Sequence, residues 1–164
     1  MGIGKRVLGA LSFLVLLASV TAIADDVTNP PQPEPLVQIY RFYRPNFNHL
    51  FTTNYQEGQR FGYYEQTIYT YAYGGPYRVA LHRCYVPQAQ MVFLSANQYC
   101  EGYVDQGVYG YVSTSQVSPN ETPLYRYYKI NDPHMDHLAT INPQSEQLYG
   151  WRYEGPLGYV PYSP

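Results

Sequence analysis

Lysine has almost vanished from this sequence: beyond residue 24, Lys129 is the only one. Charged residues of all kinds make up 13% of the 164 residues, which argues against disorder driven by high charge and low hydrophobicity. No basic run or basic face is available to track a phosphate backbone, so nucleic acid is not an expected partner. Beyond the first 24 residues no apolar run is long enough to cross a bilayer as a helix, which takes about 20 residues. The G-x-S-x-G, H-E-x-x-H and P-loop patterns are missing, and with them the usual sequence marks of nucleophilic, zinc-hydrolase and nucleotide chemistry. There is one tryptophan, Trp151, and one pair of cysteines, Cys84 and Cys100. A single cysteine pair cannot supply the four nitrogen or sulfur ligands of a structural zinc site. No cofactor is expected.

Tyrosine is abundant, with 21 residues, all beyond position 39. Its ring buries readily while its hydroxyl stays wet, which suits half-buried strands and binding surfaces. At the N-terminus, Lys5 and Arg6 precede an apolar stretch from Val7 to Val20, and Ala22-Ile23-Ala24 places small residues before Asp25. That is the pattern of a cleaved export signal over residues 1–24. The alternative is a retained anchor, for which the apolar stretch is short. Removing the signal leaves eight basic against 12 acidic residues, a net charge of −4. The expected location is secreted, extracellular or periplasmic, with no membrane partner after signal removal. Residues 25–35 carry Pro30, Pro31, Pro33 and Pro35 and read as an extended leader. Export permits disulfides, so Cys84 and Cys100 are expected to be bridged, worth about 3 kcal/mol in the chain-entropy model. Asn120-Glu121-Thr122 is a glycosylation sequon for a eukaryotic host.

The organisation of residues 36–162 comes from an internal repeat. Ile39-Tyr40-Arg41-Phe42-Tyr43 recurs as Leu81-His82-Arg83-Cys84-Tyr85 and as Leu124-Tyr125-Arg126-Tyr127-Tyr128. A second block, Asn48-His49-Leu50-Phe51-Thr52-Thr53, returns as Asp136-His137-Leu138-Ala139-Thr140-Ile141 and, in degraded form, as Gln90-Met91-Val92-Phe93-Leu94-Ser95. Candidate N-caps follow at Thr53 or Asn54, Ser95 and Asn142, and candidate C-terminal glycines at Gly62, Gly102 and Gly150, leaving room for about two helical turns in each copy. An aromatic comes after each glycine (Tyr63, Tyr103, Trp151), and a closing strand ends each unit. The chain therefore reads as a single domain of three repeats, 36–77, 78–120 and 121–162. The expected class is all-β with short helical turns, three units of about 42 residues in a closed pseudo-threefold body. A β-trefoil has this repeat length and count; a three-bladed propeller is the alternative.

These blocks resemble a secreted tandem-repeat family whose copies read roughly L-Y-R-[FY]-Y-N-P, D-H-[FL]-[FY]-T-T, G-[YW]-x-x-E-G and G-Y-V. The third copy carries the resemblance best, in Leu124 to Tyr128, Asp136-His137-Leu138, Gly150 to Gly155 and Gly158-Tyr159-Val160. The second copy departs from it, with Met91 aligned on the histidine. Gln66 and Gln106 align on Glu154. The family is a domain of unknown function resembling an accessory module, found alone or beside secreted hydrolases. The resemblance implies export and a repeat fold, and names no reaction.

Few residues offer chemistry. Asn48, His49, Asp136 and His137 are repeat positions with polar side chains, and His134 to His137 is the tightest polar cluster; structural hydrogen bonding is the favoured reading over a metal. Arg41, Arg83 and Arg126 occupy matching strand positions and read as internal clamps bonded to a carbonyl or to Glu154. Trp151 has Tyr63 and Tyr103 as counterparts. Tyr69, Tyr71 and Tyr73 alternate along one strand and are the candidate exposed ring surface, with Tyr77 beyond the Gly74-Gly75-Pro76 turn. Ligand-binding candidates are thus Asn48, His49, Tyr69, Tyr71, Tyr73, Asp136, His137 and Trp151; none is a catalytic candidate. The expected function is a secreted non-catalytic module binding a glycan or cell-surface polysaccharide. An extracellular structural or protein-interaction module comes second. A small secreted hydrolase using His49 or His137 with a carboxylate comes third.

Overall fold

The computed structural model describes residues 33–45, 48–129 and 135–162. The expected export signal (1–24), residues 25–32 of the leader, and His134 lie outside the described residues. The described chain is mostly β. Its elements are β1 (Leu36–Tyr43), β2 (His49–Thr52), α1 (Tyr55–Phe61), β3 (Tyr63–Tyr71), β4 (Arg78–Val86), β5 (Met91–Ser95), β6 (Val104–Ser113), β7 (Glu121–Lys129), β8 (Asp136–Thr140) and β9 (Trp151–Pro161).

All strand pairs are antiparallel. β1 lies between β2 and β3, β4 between β5 and β6, and β7 between β8 and β9. These sets meet through single rungs, Tyr71 opposite Tyr111 (β3 to β6) and Ser113 opposite Tyr159 (β6 to β9). β3 and β9 also lie side by side, but no ladder joins them. The strand registers place Pro161 where β3 has Tyr71 and β6 has Ser113. Proline has no N–H to complete such a rung. The described strands therefore form one open antiparallel sheet.

Alternation along the strands sends one side chain from each to a shared interior. Ile39, Phe51, Ile68, Leu81, Leu94, Val112, Leu124, Ala139 and Val160 form the central cluster, one residue from each of the nine strands. Each large member contributes about 1.5–3 kcal/mol by leaving water. Backbones crowd around it. Gly110 (φ +113°) and Gly158 (φ +149°) adopt conformations that disfavour a Cβ, and a Cβ on Gly158 would stand 2.8 Å from the Ser113 carbonyl oxygen.

Of the three expected helices, one forms. α1 starts at Asn54, whose side-chain oxygen accepts from the N–H groups of Gln56 and Glu57. Gly62 follows it in an extended conformation (φ −169°), not the expected left-handed cap. At the other two expected places there are single 3₁₀ turns, Cys100–Gly102 and Pro143–Ser145. In the former, Cys100 and Glu101 have positive φ, which stops α-helix propagation. Cys100 is also held by a disulfide to Cys84 on β4, with S–S 2.00 Å and Cα–Cα 5.4 Å. Both sulfurs lie in a second cluster with Val86, Ala89, Met91 and Phe93.

Candidate functional site

Arg41 projects from β1 on the same side as Ile39, so a guanidinium is carried inward beside the core. It is 4% exposed. Its Nε donates to Glu65 Oε2 (2.9 Å), one terminal nitrogen donates to the Ala139 carbonyl (3.1 Å), and the other pairs with Glu146 Oε1 (2.9 Å). Glu65 Oε2 also lies 3.3 Å from His49 Nε2, and His49 Nδ1 lies 2.8 Å from Asp136 Oδ2. The His49 backbone N–H donates to the other oxygen of Asp136 (2.9 Å). Burial alone would lower the His49 pKa; the Asp136 and Glu65 carboxylates outweigh it and raise the pKa above its ordinary value. The Glu65 pKa is lowered: burial opposes this, but His49 and Arg41 prevail. Both ring nitrogens of His49 face carboxylates, so neither is available to take a proton from a substrate.

Arg126 follows the same plan; Arg83 follows it only in part, with its Nε buried and without a partner among the described residues. Arg126 donates from Nε to Glu154 Oε2 (2.8 Å), from a terminal nitrogen to the Leu94 carbonyl (3.3 Å), and to both oxygens of Glu101 (2.5 and 3.2 Å). Arg83 reaches Tyr109 Oη (2.6 Å) and the two oxygens of Glu57 (3.3 and 3.5 Å). Glu57, Glu101 and Glu146 each accept from a hydroxyl at the end of the preceding short strand: Thr52 (2.6 Å), Ser95 (2.6 Å) and Thr140 (2.8 Å). Each arginine thus reaches an acid in another segment: Arg41 reaches 121–162, Arg126 reaches 78–120, and Arg83 reaches 36–77.

Strand register corrects two motif alignments. Glu154 occupies a bulge in β9 between the partners of Arg126 and Tyr127. Glu65 occupies the same bulge in β3, between the partners of Arg41 and Phe42. Glu65, not Gln66, is therefore the counterpart of Glu154, and both bond an arginine and face a histidine (His137 Nε2 to Glu154 Oε2, 3.4 Å). The motif comparison missed Glu65 because the bulge shifts the count by one. Likewise Tyr43 faces His49, Tyr128 faces His137 and Tyr85 faces Val92, so valine, not Met91, replaces the histidine in β5. Met91 then stands in the place of Asp136. His137 Nδ1 and Asn48 Nδ2 are buried without a partner among the described residues.

Of the ligand-binding candidates, the structure brings His49, Asp136 and Trp151 together. Asn48, His49, Asp136 and His137 are all buried. His137 stacks on Phe93 (4.7 Å), and Trp151 meets His49 edge-on (5.8 Å) beneath the Lys129 ammonium (5.8 Å). The expected row of exposed rings is broken at Tyr71, which is 8% exposed and donates to Glu121 Oε1 (2.6 Å). Arg78 lies 3.4 Å above the Tyr71 ring centre. Burial, then the Glu121 carboxylate, pushes the Tyr71 pKa up to about 12. Tyr69 is half-buried; Tyr73 and Tyr77 are exposed. Trp151 is half-buried, whereas its counterparts Tyr63 and Tyr103 are exposed. Among the described residues no group of three or more His, Cys, Asp or Glu side chains is placed to hold a metal ion.

Two adjoining clefts lie elsewhere, one on residues 78–120 and one between these and residues 121–162. One cleft of about 470 Å³ is lined by Val79, Ala80, His82, Asn97, Gln98 and Tyr99. A second of about 230 Å³ adjoins it through Ala96 and Asn97 and continues to Glu101, Arg126 and Glu154. Asn97 is fixed by its own turn: its N–H donates to Ser95 Oγ (3.1 Å) and its side-chain oxygen accepts from the Tyr99 N–H (2.8 Å). His82 Nδ1 lies 3.2 Å from both Asp105 oxygens. Sequence reasoning missed Asn97, Gln98, Tyr99, Glu101 and Asp105, although an Asn two residues after each of Thr52, Ser95 and Thr140 was there to mark the turn.

The sequence model of a family described as a domain of unknown function (DUF5648) matches residues 38–161. No curated protein and no solved structure matches the chain.

Proposed function

The chain belongs to the DUF5648 family, and from that premise we propose that it is an exported, non-catalytic binding module whose ligand is a glycan. The observation that carries the reading is the paired cleft meeting at Asn97. It is open, carries amide and charged groups among apolar ones and is rimmed by an exposed tyrosine, and it is built on a body held by strands and a disulfide. Sugars present hydroxyls for amide, carboxylate and guanidinium groups, and C–H faces for rings. Of the two histidines a hydrolase would use, His49 is buried with both nitrogens facing carboxylates, and His137 is buried and stacked on Phe93, which favours binding over hydrolysis. Glycan-array binding by the exported protein, competed by free sugar and weakened by Asn97→Ala, tests this; silence on diverse polysaccharides by the folded protein refutes it. N-terminal sequencing of the exported product tests the location, with Asp25 as the expected first residue.

We also infer that the three segments are tandem repeats closing around a pseudo-threefold axis. The reading rests on the arginine-to-acid contacts, which run from first to third, third to second and second to first segment. Pairing is extensive within each segment and reduced to single rungs between them, which favours the three-bladed arrangement over the β-trefoil. A protein-interaction role is favoured by one observation, the exposed rings around α1 (Phe61, Tyr63, Tyr64). Saturable binding to an extracellular protein, indifferent to sugars, would select it.

A further inference from the structure

The three segments treat one place in the fold differently. Strand register equates Tyr40, His82 and Tyr125, which pair with Thr52, Ser95 and Thr140. It equates Phe42, Cys84 and Tyr127, and, across from them, Tyr64, Asp105 and Tyr153. The residue after the turn asparagine is Tyr55, Gln98 or Pro143. In the first segment these four positions hold four rings in mutual contact: Tyr55 lies 5.1 Å from Tyr40, 5.4 Å from Phe42 and 5.7 Å from Tyr64. In the third, Tyr153 packs on Tyr125 (6.1 Å) and Tyr127 (5.2 Å). In the second, the four positions are His82, Cys84, Gln98 and Asp105, and Cys84 is turned into the core by its disulfide. The tyrosine and phenylalanine rings are gone from these four positions, and the larger cleft lies beside His82 and Gln98.

Resting on the glycan reading above, we propose that this cleft is the chain's single sugar subsite and holds one uncharged sugar ring in the space that the first segment fills with its own side chains. The lining suits such a guest. The Gln98 amide, the Asn97 amide nitrogen and the Tyr99 hydroxyl carry no hydrogen bond to protein among the described residues, so their capacity is open to a ligand's hydroxyls. Tyr99 is 73% exposed and offers a ring face at the mouth. About 470 Å³ is within the range of small-ligand sites. The charge beside it is net negative: Asp105 bonds the Gly107 N–H (2.8 Å) and His82, and in the adjoining cleft Glu101 and Glu154 share the one guanidinium of Arg126. Charge of one sign close to a subsite disfavours a ligand of the same sign, so neutral sugars are favoured over a uronate.

The test uses the exported protein and calorimetric titration with the methyl glycosides of glucose, galactose, mannose, N-acetylglucosamine and glucuronic acid, or with short oligomers of whichever of these the glycan array selects. One neutral member is expected to bind with one site per chain, and glucuronate not to bind. Tyr99→Ala is expected to weaken binding at least tenfold. Gln98→Tyr, which puts a ring where the first segment has Tyr55, is expected to abolish binding with the thermal midpoint unchanged. Tyr149→Ala, an exposed ring of the third segment, is expected to bind as the parent does. Two or three sites per chain, unchanged binding by Gln98→Tyr and Tyr99→Ala, or glucuronate binding as tightly as a neutral sugar overturns the proposal while leaving the glycan reading intact. No binding to any sugar on array or in titration overturns both.

Discussion

Replacing Arg41 with methionine isolates what a buried guanidinium contributes here. Its stem is replaced by one of similar bulk, so packing is largely kept. Three acceptors lose a donor: Glu65 Oε2, Glu146 Oε1 and the Ala139 carbonyl. Breaking a buried ion pair from one side costs about 3–5 kcal/mol. Glu65 keeps His49 and Glu146 keeps the Thr140 hydroxyl, so the lower end applies, about 3 kcal/mol. Arg83 gives a comparison within the same fold. Its acid, Glu57, is more exposed (36% against 17% for Glu146) and lies 3.3–3.5 Å away. Exposed pairs contribute about 1 kcal/mol or less, so Arg83→Met should cost about 1–2 kcal/mol once its bond to Tyr109 is included. The expected thermal shifts are about −10 °C for Arg41→Met and about −5 °C for Arg83→Met. Urea unfolding of both variants, and of Arg41→Met combined with Glu146→Gln, measures the difference; the double variant should lose less than the sum of the two single losses. Equal losses at Arg41 and Arg83, or strict additivity with Glu146→Gln, would refute the assignment.

Four further outcomes follow from the same contacts. His49 has a raised pKa, so its contribution is complete below its ordinary value of 6.5 and is lost as pH rises through the folded value. Stability should therefore fall on the alkaline side in urea titrations, and His49→Gln should flatten that slope. Glu57, Glu65, Glu101 and Glu154 have lowered pKa values, with stability present above the ordinary carboxylate value and lost as pH falls through the folded ones; midpoints measured from pH 5 to 2 should decline. Gly158→Ala places a Cβ at φ +149° against Val112 and Ser113 and should cost about 2 kcal/mol or more by thermal melting. Intact protein should show no titratable thiol, and reducing Cys84–Cys100 should lower stability by about 3 kcal/mol.

What was legible in the sequence was whatever repeats in type as well as place. The I/L-ring-Arg-x-Tyr blocks became β1, β4 and β7, and the cysteine pair became the disulfide. The expected two helical turns shrink to single 3₁₀ turns at Cys100–Gly102 and Pro143–Ser145; at the former, a cap residue and a later glycine do not reveal the positive φ of Cys100 and Glu101. Glu65 was hidden by a bulge, which adds a residue to one strand without marking the sequence. Tyr71 was read as exposed because alternation defines a face without saying what covers it; Arg78 and Glu121 do so from distant positions. The cleft was illegible for a different reason: at the positions where residues 36–77 carry Tyr40 and Tyr55, residues 78–120 carry His82 and Gln98, and only strand register sets these side by side.

Connectivity gives the contacts around Arg41 a meaning beyond their energy. The peptide chain itself runs from the first segment into the second and from the second into the third, so those neighbours are tethered. First and third segments share no such link, and there side chains make the junction: Arg41 with Glu146 and the Ala139 carbonyl, and His49 with Asp136. Side chains serve as the latch where no covalent bond does. Weakening that latch frees two complementary ends on one molecule, each fitted to the other end of a second copy, so variants at Arg41 or Asp136 should be the ones that exchange segments into dimers at high concentration, visible by size-exclusion chromatography.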